Sequence, residues 1–68
     1  MKISARNVLK GKIVEVIKGA TTAHVRIEAG GTIVTASITN DAVEDLGLVS
    51  GMAASAVIKA SDVMVAVD

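Results

Sequence analysis

Two short segments near opposite ends of the chain, Ser4-Ala5-Arg6-Asn7 and Ile58-Lys59-Ala60-Ser61, hold the residue types best suited to chemistry. Each supplies one fixed cation with small residues and hydroxyls beside it. Backbone N–H groups and hydroxyl donors in such a setting can close around a compact anion, whereas an aromatic or long aliphatic neighbour would block the approach. The ligand that fits is a tetrahedral oxyanion. It offers four acceptor oxygens and no donors, and its lost hydration is offset only where N–H, O–H and cationic groups converge. Two unit charges about 4 Å apart attract by roughly 4 kcal/mol at an effective dielectric of 20, so a dianion between two cations gains appreciably before desolvation is subtracted. The residues also admit a plainer reading. Ser4 and Asn7 can simply begin a strand, Arg6 can be a surface charge, and Lys59 can end an edge strand with Ala60-Ser61 as its turn. Composition by itself favours that plainer reading.

The remaining residues narrow the chemistry by exclusion. None of the 68 residues is aromatic, so the stacking platforms that contribute about 1–3 kcal/mol per base to single-strand binding are missing. Lys plus Arg and Asp plus Glu each total 7, for a formal net charge of zero, whereas a general nucleic-acid binder carries a basic surplus. No nucleic-acid partner is expected. The single histidine, His24, alternates outward with Arg26 and Glu28, and no cysteine or adjacent carboxylate pair accompanies it. No catalytic residue is therefore assigned, and no enzyme is expected. Asp41, Glu44 and Asp45 lie in a helical pattern that suits capping and solvation rather than a cage for a metal cation. The absence of cysteine removes disulfides and thiolate metal sites. After Met1-Lys2 no long apolar run follows, so neither a secretory signal nor a membrane span is expected, and the cytoplasm is the default compartment.

The elements that must position the two segments are read from periodicity. A chain of 68 residues without proline, linker or low-complexity stretch reads as one domain, 1–68. Asn7 to Lys18 forms a long first strand whose inward phase moves from Leu9 and Ile13 to Val14 and Val16, a shift that a bulge near Gly11 would explain. Ala23 to Ala29 alternates without error, as a half-buried strand does. Gly30-Gly31 supplies a hairpin turn into a third strand, Thr32 to Thr39. The period changes over Asn40 to Leu48, where Asp41 and Glu44 have capping-box spacing, Val43 and Leu46 share a face, and Gly47 can stop a short helix. Two further strands, about Ala53 to Lys59 and Asp62 to Val67, follow the Ser50-Gly51 turn. The predicted class is all-β with one short helix. Its order, β-β-β-α-β-β, is that of an OB-fold-like, five-stranded Greek-key barrel, with an SH3-like barrel as the runner-up. Closure would remove the exposed edge that Val63-Met64-Val65-Ala66-Val67 otherwise presents, and a partner subunit could cover it instead. Hydrophobic residues make up 51% of the chain, more than so small a fold can hide, so an obligate homo-oligomer is expected.

Ser4-Ala5-Arg6-Asn7 followed by Lys10-Gly11, then Ala36-Ser37-Ile38-Thr39, Val43-Glu44-Asp45-Leu46-Gly47-Leu48, Gly51 and Ile58-Lys59-Ala60-Ser61-Asp62-Val63-Met64 closely resembles the molbindin, or Mop, family. The likeness spans essentially the whole chain, and the ordered set of fragments is specific where any one alone is not. The resemblance implies an OB-like fold assembled as a hexamer, a trimer of dimers, that binds molybdate or tungstate at subunit interfaces for cytoplasmic molybdenum storage. It implies that Ser4, Arg6 and Lys59 donate to the oxyanion, that Ala60 and Ser61 contribute through backbone N–H or hydroxyl, and that Thr39 is a further contributor. Asn7 is assigned to holding the start of the strand. The family can also carry a second anion site near a symmetry axis, for which Lys18-Gly19-Ala20-Thr21-Thr22 is the candidate. Its older association with molybdopterin finds no support in these residues, because a pterin ring favours an aromatic surface to stack upon and none exists here. Three readings result: an oxyanion buffer first, a ligand-independent oligomerising interaction module second, and an enzyme tied to His24 last.

Overall fold

The computed structural model describes residues 1–68. Strands β1 (Asn7–Lys18), β2 (Thr22–Ala29) and β3 (Thr32–Thr39) are followed by helix α1 (Asn40–Leu46), strand β4 (Ala53–Ile58) and a 3-10 turn at Ala60–Asp62. All strand pairs are antiparallel, and the spatial order is β3-β2-β1-β4. The long β1 is shared between two partners. Its first half pairs with β4 from Asn7↔Ile58 to Lys12↔Ala53, and its second half pairs with β2 from Lys12↔Glu28 to Lys18↔Ala23.

Two glycine-dependent features shape the sheet. The Gly30-Gly31 turn has positive φ at both positions, 59° and 85°, the backbone of a two-residue hairpin that a residue with a Cβ adopts poorly. At Gly11 the strands cross so closely that a Cβ would overlap the Glu28 carbonyl oxygen, which is the usual reason for glycine at a barrel corner. The expected bulge exists, three residues beyond Gly11. The register shifts between Ile13 and Glu15, which leaves Val14 as the extra residue, turns it outward, and returns Val16 to the inner face opposite Val25. The freed backbone is satisfied from the loop before β4: Gly51 N–H donates to Ile13 O at 2.7 Å and Ser50 Oγ donates to Val14 O at 3.1 Å.

The expected helix is present, with a different cap. Thr39, rather than Asp41, caps it: its Oγ1 accepts from Ala42 N–H at 3.0 Å. Gly47 then stops it in the left-handed conformation (φ 63°), with Leu48 N–H closing back on Val43 O at 3.0 Å. Val43 drops into the core, while Leu46, expected on the same face, stays largely exposed. Asn40 binds the helix start to the β1–β2 turn, donating through Nδ2 to Gly19 O and through its amide to Thr21 O.

The closed five-stranded barrel is not what forms. The sheet has four strands and is open, and the segment predicted as a fifth strand, Asp62 to Val67, carries no strand pairing. The 3-10 turn redirects the chain after Ile58, so Met64, Val65 and Val67 stand about nine-tenths exposed. What remains inside is a small core of Ile13, Ala23, Val25, Ile27, Val43 and Ala56. An apolar groove of about 420 Å³ opens over it, its walls including Ile13, Val25, Ile38, Leu48 and Ala56.

Candidate functional site

The β1–β4 ladder decides where the two cationic segments lie. Its last pair is Asn7↔Ile58, so Arg6 and Lys59 are the next residue outward on each strand, and Ser4 and Ala60-Ser61 follow at the same end of the sheet. Positions more than fifty residues apart in the chain are thereby placed side by side. Asn7 fastens the junction, its Nδ2 donating to Ile58 O at 3.2 Å, in keeping with a residue that holds the start of the strand. The turn that carries Ala60 and Ser61 is closed by Asp62 N–H donating to Lys59 O at 2.9 Å and Val63 N–H donating to Ala60 O at 3.2 Å. The opening amides of such a turn have no acceptor within it and remain available as donors.

Neither cation at this end of the molecule is ion-paired. Only two ion pairs exist, Lys18–Glu44 at 3.2 Å and Arg26–Glu15 at 3.6 Å. Arg6 and Lys59 take part in neither, and neither side chain is hydrogen-bonded within the chain. The Ser4 and Ser61 hydroxyls are likewise exposed and unpartnered. The arrangement therefore offers two cations, two hydroxyls and the amides of a tight turn at one open surface, where the acid of the same turn, Asp62, is in no ion pair.

Thr39 stands apart from this group. It pairs with Thr22 at the start of β2, and the adjoining Ala23 pairs with Lys18, the last residue of β1. Thr39 thus belongs to the end of β1 opposite Arg6, a contour of about 35 Å along the strand at the usual rise per residue. Its hydroxyl is half committed: Oγ1 accepts the helix-capping bond, and its hydrogen stays free to donate.

A second, smaller cleft of about 290 Å³ is lined by Ile17, Gly19, Thr22 and His24. It adjoins the Lys18–Thr22 segment singled out from the sequence, and it places His24 outward, opposite Ile17 on β1 and Ser37 on β3. Sequence reasoning left one further feature unassigned: Lys10 and Lys12 on the outer face of β1, toward the end that Arg6 precedes. The alternation of β1 was signal enough to find it. No group of three or more His, Cys, Asp or Glu side chains is arranged to hold a metal cation, and no helix is long and apolar enough to cross a membrane.

Comparison with known proteins places this geometry in a family. Residues 3–65 match the TOBE domain. Molybdenum-pterin-binding protein 3 of Clostridium pasteurianum is 56% identical over 66 residues, covering 96% of this chain and 97% of the relative. Among solved structures, a molybdate-binding protein from Sporomusa ovata superposes with a TM-score of 0.93 at 41% identity, covering 97% of this chain and 98% of that one. The cytoplasmic molybdate-binding protein ModG, solved with molybdate bound, superposes with a TM-score of 0.90 at 46% identity, covering 94% of this chain, which spans 46% of the ModG chain. The extent and level of these matches, together with the fold, establish that the chain belongs to the TOBE-domain proteins and, within them, to the molbindin (Mop) family of molybdenum-pterin-binding proteins.

Proposed function

We propose that the chain is a binding protein for molybdate or tungstate, holding the oxyanion at the interface between copies of itself as part of intracellular molybdenum storage. The observation that carries this reading is the register Asn7↔Ile58, which sets Arg6 beside Lys59 with no carboxylate paired to either. In one copy, Arg6 and Lys59 supply charge, the Ser4 and Ser61 hydroxyls supply donors, and the amides of Ala60 and Ser61 complete the cradle. Thr39 belongs to the other end of β1, so its hydroxyl reaches an oxyanion only from a neighbouring copy. The relatives named for molybdate binding support the choice of anion. Molybdate, tungstate and sulfate share the same acceptors and differ in size and basicity, so the dimensions of the completed pocket set the preference.

Assembly is supported by surface area. Folded monomers of this mass expose about 4,000 Å², and this chain exposes 5187 Å². The excess, about 1,200 Å², exceeds the ~800 Å² that each partner contributes to a standard stable interface. Its most exposed part is the alternating segment Val63-Met64-Val65-Ala66-Val67. A hexamer built as a trimer of dimers accommodates both the area and the shared site. Pterin is not assigned as a ligand, because the chain offers no aromatic surface for the ring.

The same exposed apolar surface favours a second reading, an interaction module that oligomerises without any ligand. Isothermal titration of the full chain with molybdate separates the two. Heat release with several anions bound per oligomer, matched by native mass spectrometry of the loaded assembly, is the expected result. An oligomer that gives no heat and no thermal shift would establish the interaction module instead.

A further inference from the structure

Of the seven cationic side chains, Lys18 and Arg26 are ion-paired. The other five, Lys2, Arg6, Lys10, Lys12 and Lys59, have no carboxylate within salt-bridge distance, and four of them, Arg6, Lys10, Lys12 and Lys59, lie in or next to the β1–β4 ladder. Alternation sets Val8, Lys10 and Lys12 on the outer face of β1, opposite the face that buries Ile13, and Arg6 immediately precedes the strand. Across the ladder, Lys10 meets Ser55 and Lys12 meets Ala53, small residues that leave the ammonium groups unobstructed. The acid opposite Lys12 is Glu28; its Oε1 accepts the Gly31 N–H at 2.7 Å, and it forms no ion pair with Lys12. Like charges two residues apart on one strand face repel, and neither Lys10 nor Lys12 is held in an ion pair. Three of the seven acids, Asp41, Glu44 and Asp45, sit on α1, while Asp62 lies in the turn beside Lys59.

We propose that Lys10 and Lys12 form an electrostatic approach track that gathers tetrahedral dianions from solvent and delivers them to Arg6 and Lys59. The proposal rests on the oxyanion-binding reading and adds to it two residues that touch no bound anion. Strand rise sets Lys12 and Lys10 about 7 Å apart and Lys10 and Arg6 about 13 Å apart. These steps are comparable with the ~10 Å screening length at 0.1 M salt, so an ion moving along the face stays within reach of the next charge. A track of this kind acts on encounter and leaves the bound state alone.

The test is the rate of uptake of radiolabelled molybdate by the full chain, followed by rapid filtration at several ionic strengths. Lys10→Gln/Lys12→Gln should lower the association rate constant about threefold at 10 mM ionic strength and by less than about 1.5-fold at 0.5 M, with dissociation unchanged. Lys10→Glu/Lys12→Glu should lower it about tenfold at 10 mM. Three results would overturn the track: association at 10 mM indifferent to both double substitutions, an effect confined to dissociation, which would make the lysines direct contacts, or loss of the assembly by native mass spectrometry at an unchanged rate, which would make them interface residues. A wild-type chain that takes up no molybdate removes the oxyanion reading and the track together. A wild type that binds with rates blind to Lys10 and Lys12 removes the track alone.

Discussion

Arg6 is the residue on which the proposed chemistry turns, because its guanidinium can present two parallel N–H donors to one oxyanion while carrying a charge that nothing else in the chain neutralises. A charge-assisted hydrogen bond contributes roughly 1.5–3 kcal/mol, so Arg6→Ala should weaken molybdate binding about tenfold or more by calorimetry. The oligomer should persist on size-exclusion chromatography, since the side chain is exposed and makes no structural bond. Dissociation of the oligomer would recast Arg6 as an interface ion-pair partner. Thr39 has two roles to be separated: helix cap, given by its bond from Ala42 N–H, and proposed donor to an anion held by a neighbouring copy. Thr39→Asp keeps a good cap and sets a carboxylate where the dianion would sit. It should leave the melting temperature nearly unchanged while abolishing molybdate binding. Thr39→Val should instead lose about 1 kcal/mol of stability as the cap disappears. Equal affinities in wild type and Thr39→Asp would remove Thr39 from the site.

At the scale of elements, what could be read from the chain was whatever depends on local pattern. β1, β3 and the glycine turns stand where alternation and φ preference put them, because side-chain period and backbone permissiveness are properties of neighbouring residues. The approach of Arg6 to Lys59 was legible for a related reason: both segments directly flank strands whose antiparallel pairing joins them. The bulge was legible in kind, from the phase slip between Ile13 and Val16, and misplaced at Gly11. Gly11 is there for a different cause, the passage of the Glu28 carbonyl, which is a long-range contact that no local pattern encodes. The cap was misread because Asp41 and Glu44 match the capping-box spacing, while Thr39, the last residue of β3, already presents a hydroxyl to Ala42 N–H. Gly11→Ala tests the crossing of β1 over β2. The added methyl must push the strands apart, so a loss of about 2–4 kcal/mol in denaturant titration is expected, with affinity falling only through the unfolded fraction. A neutral result would mean that the strands yield freely at this point.

At the scale of the whole molecule, the predicted fifth strand and the observed open sheet express one fact. Alternating Val63, Val65 and Val67 have the pattern of a strand, and pattern alone cannot say which chain supplies the partner edge. In the single chain the 3-10 turn after Lys59 carries these residues away from their own sheet, leaving an apolar groove above Ile13 and Val25 and an apolar segment with nowhere to go. Both are costly in water, and a second copy that contributed its segment to the first would relieve both at once. The proposed oxyanion site is bound into the same arrangement, since Lys59, Ala60 and Ser61 lie at the turn that launches the segment and the proposal draws Thr39 from another copy. Val65→Asp should therefore shift native mass spectra from oligomer toward monomer and, in the same samples, cost the chain its molybdate, although residue 65 touches no anion. The smaller change Val65→Thr, similar in shape and less apolar, should weaken assembly to a lesser degree and restore anion uptake as protein concentration rises. Full molybdate binding by a monomeric Val65→Asp chain would show that one copy holds the oxyanion unaided, and the dependence of the site on assembly would be lost.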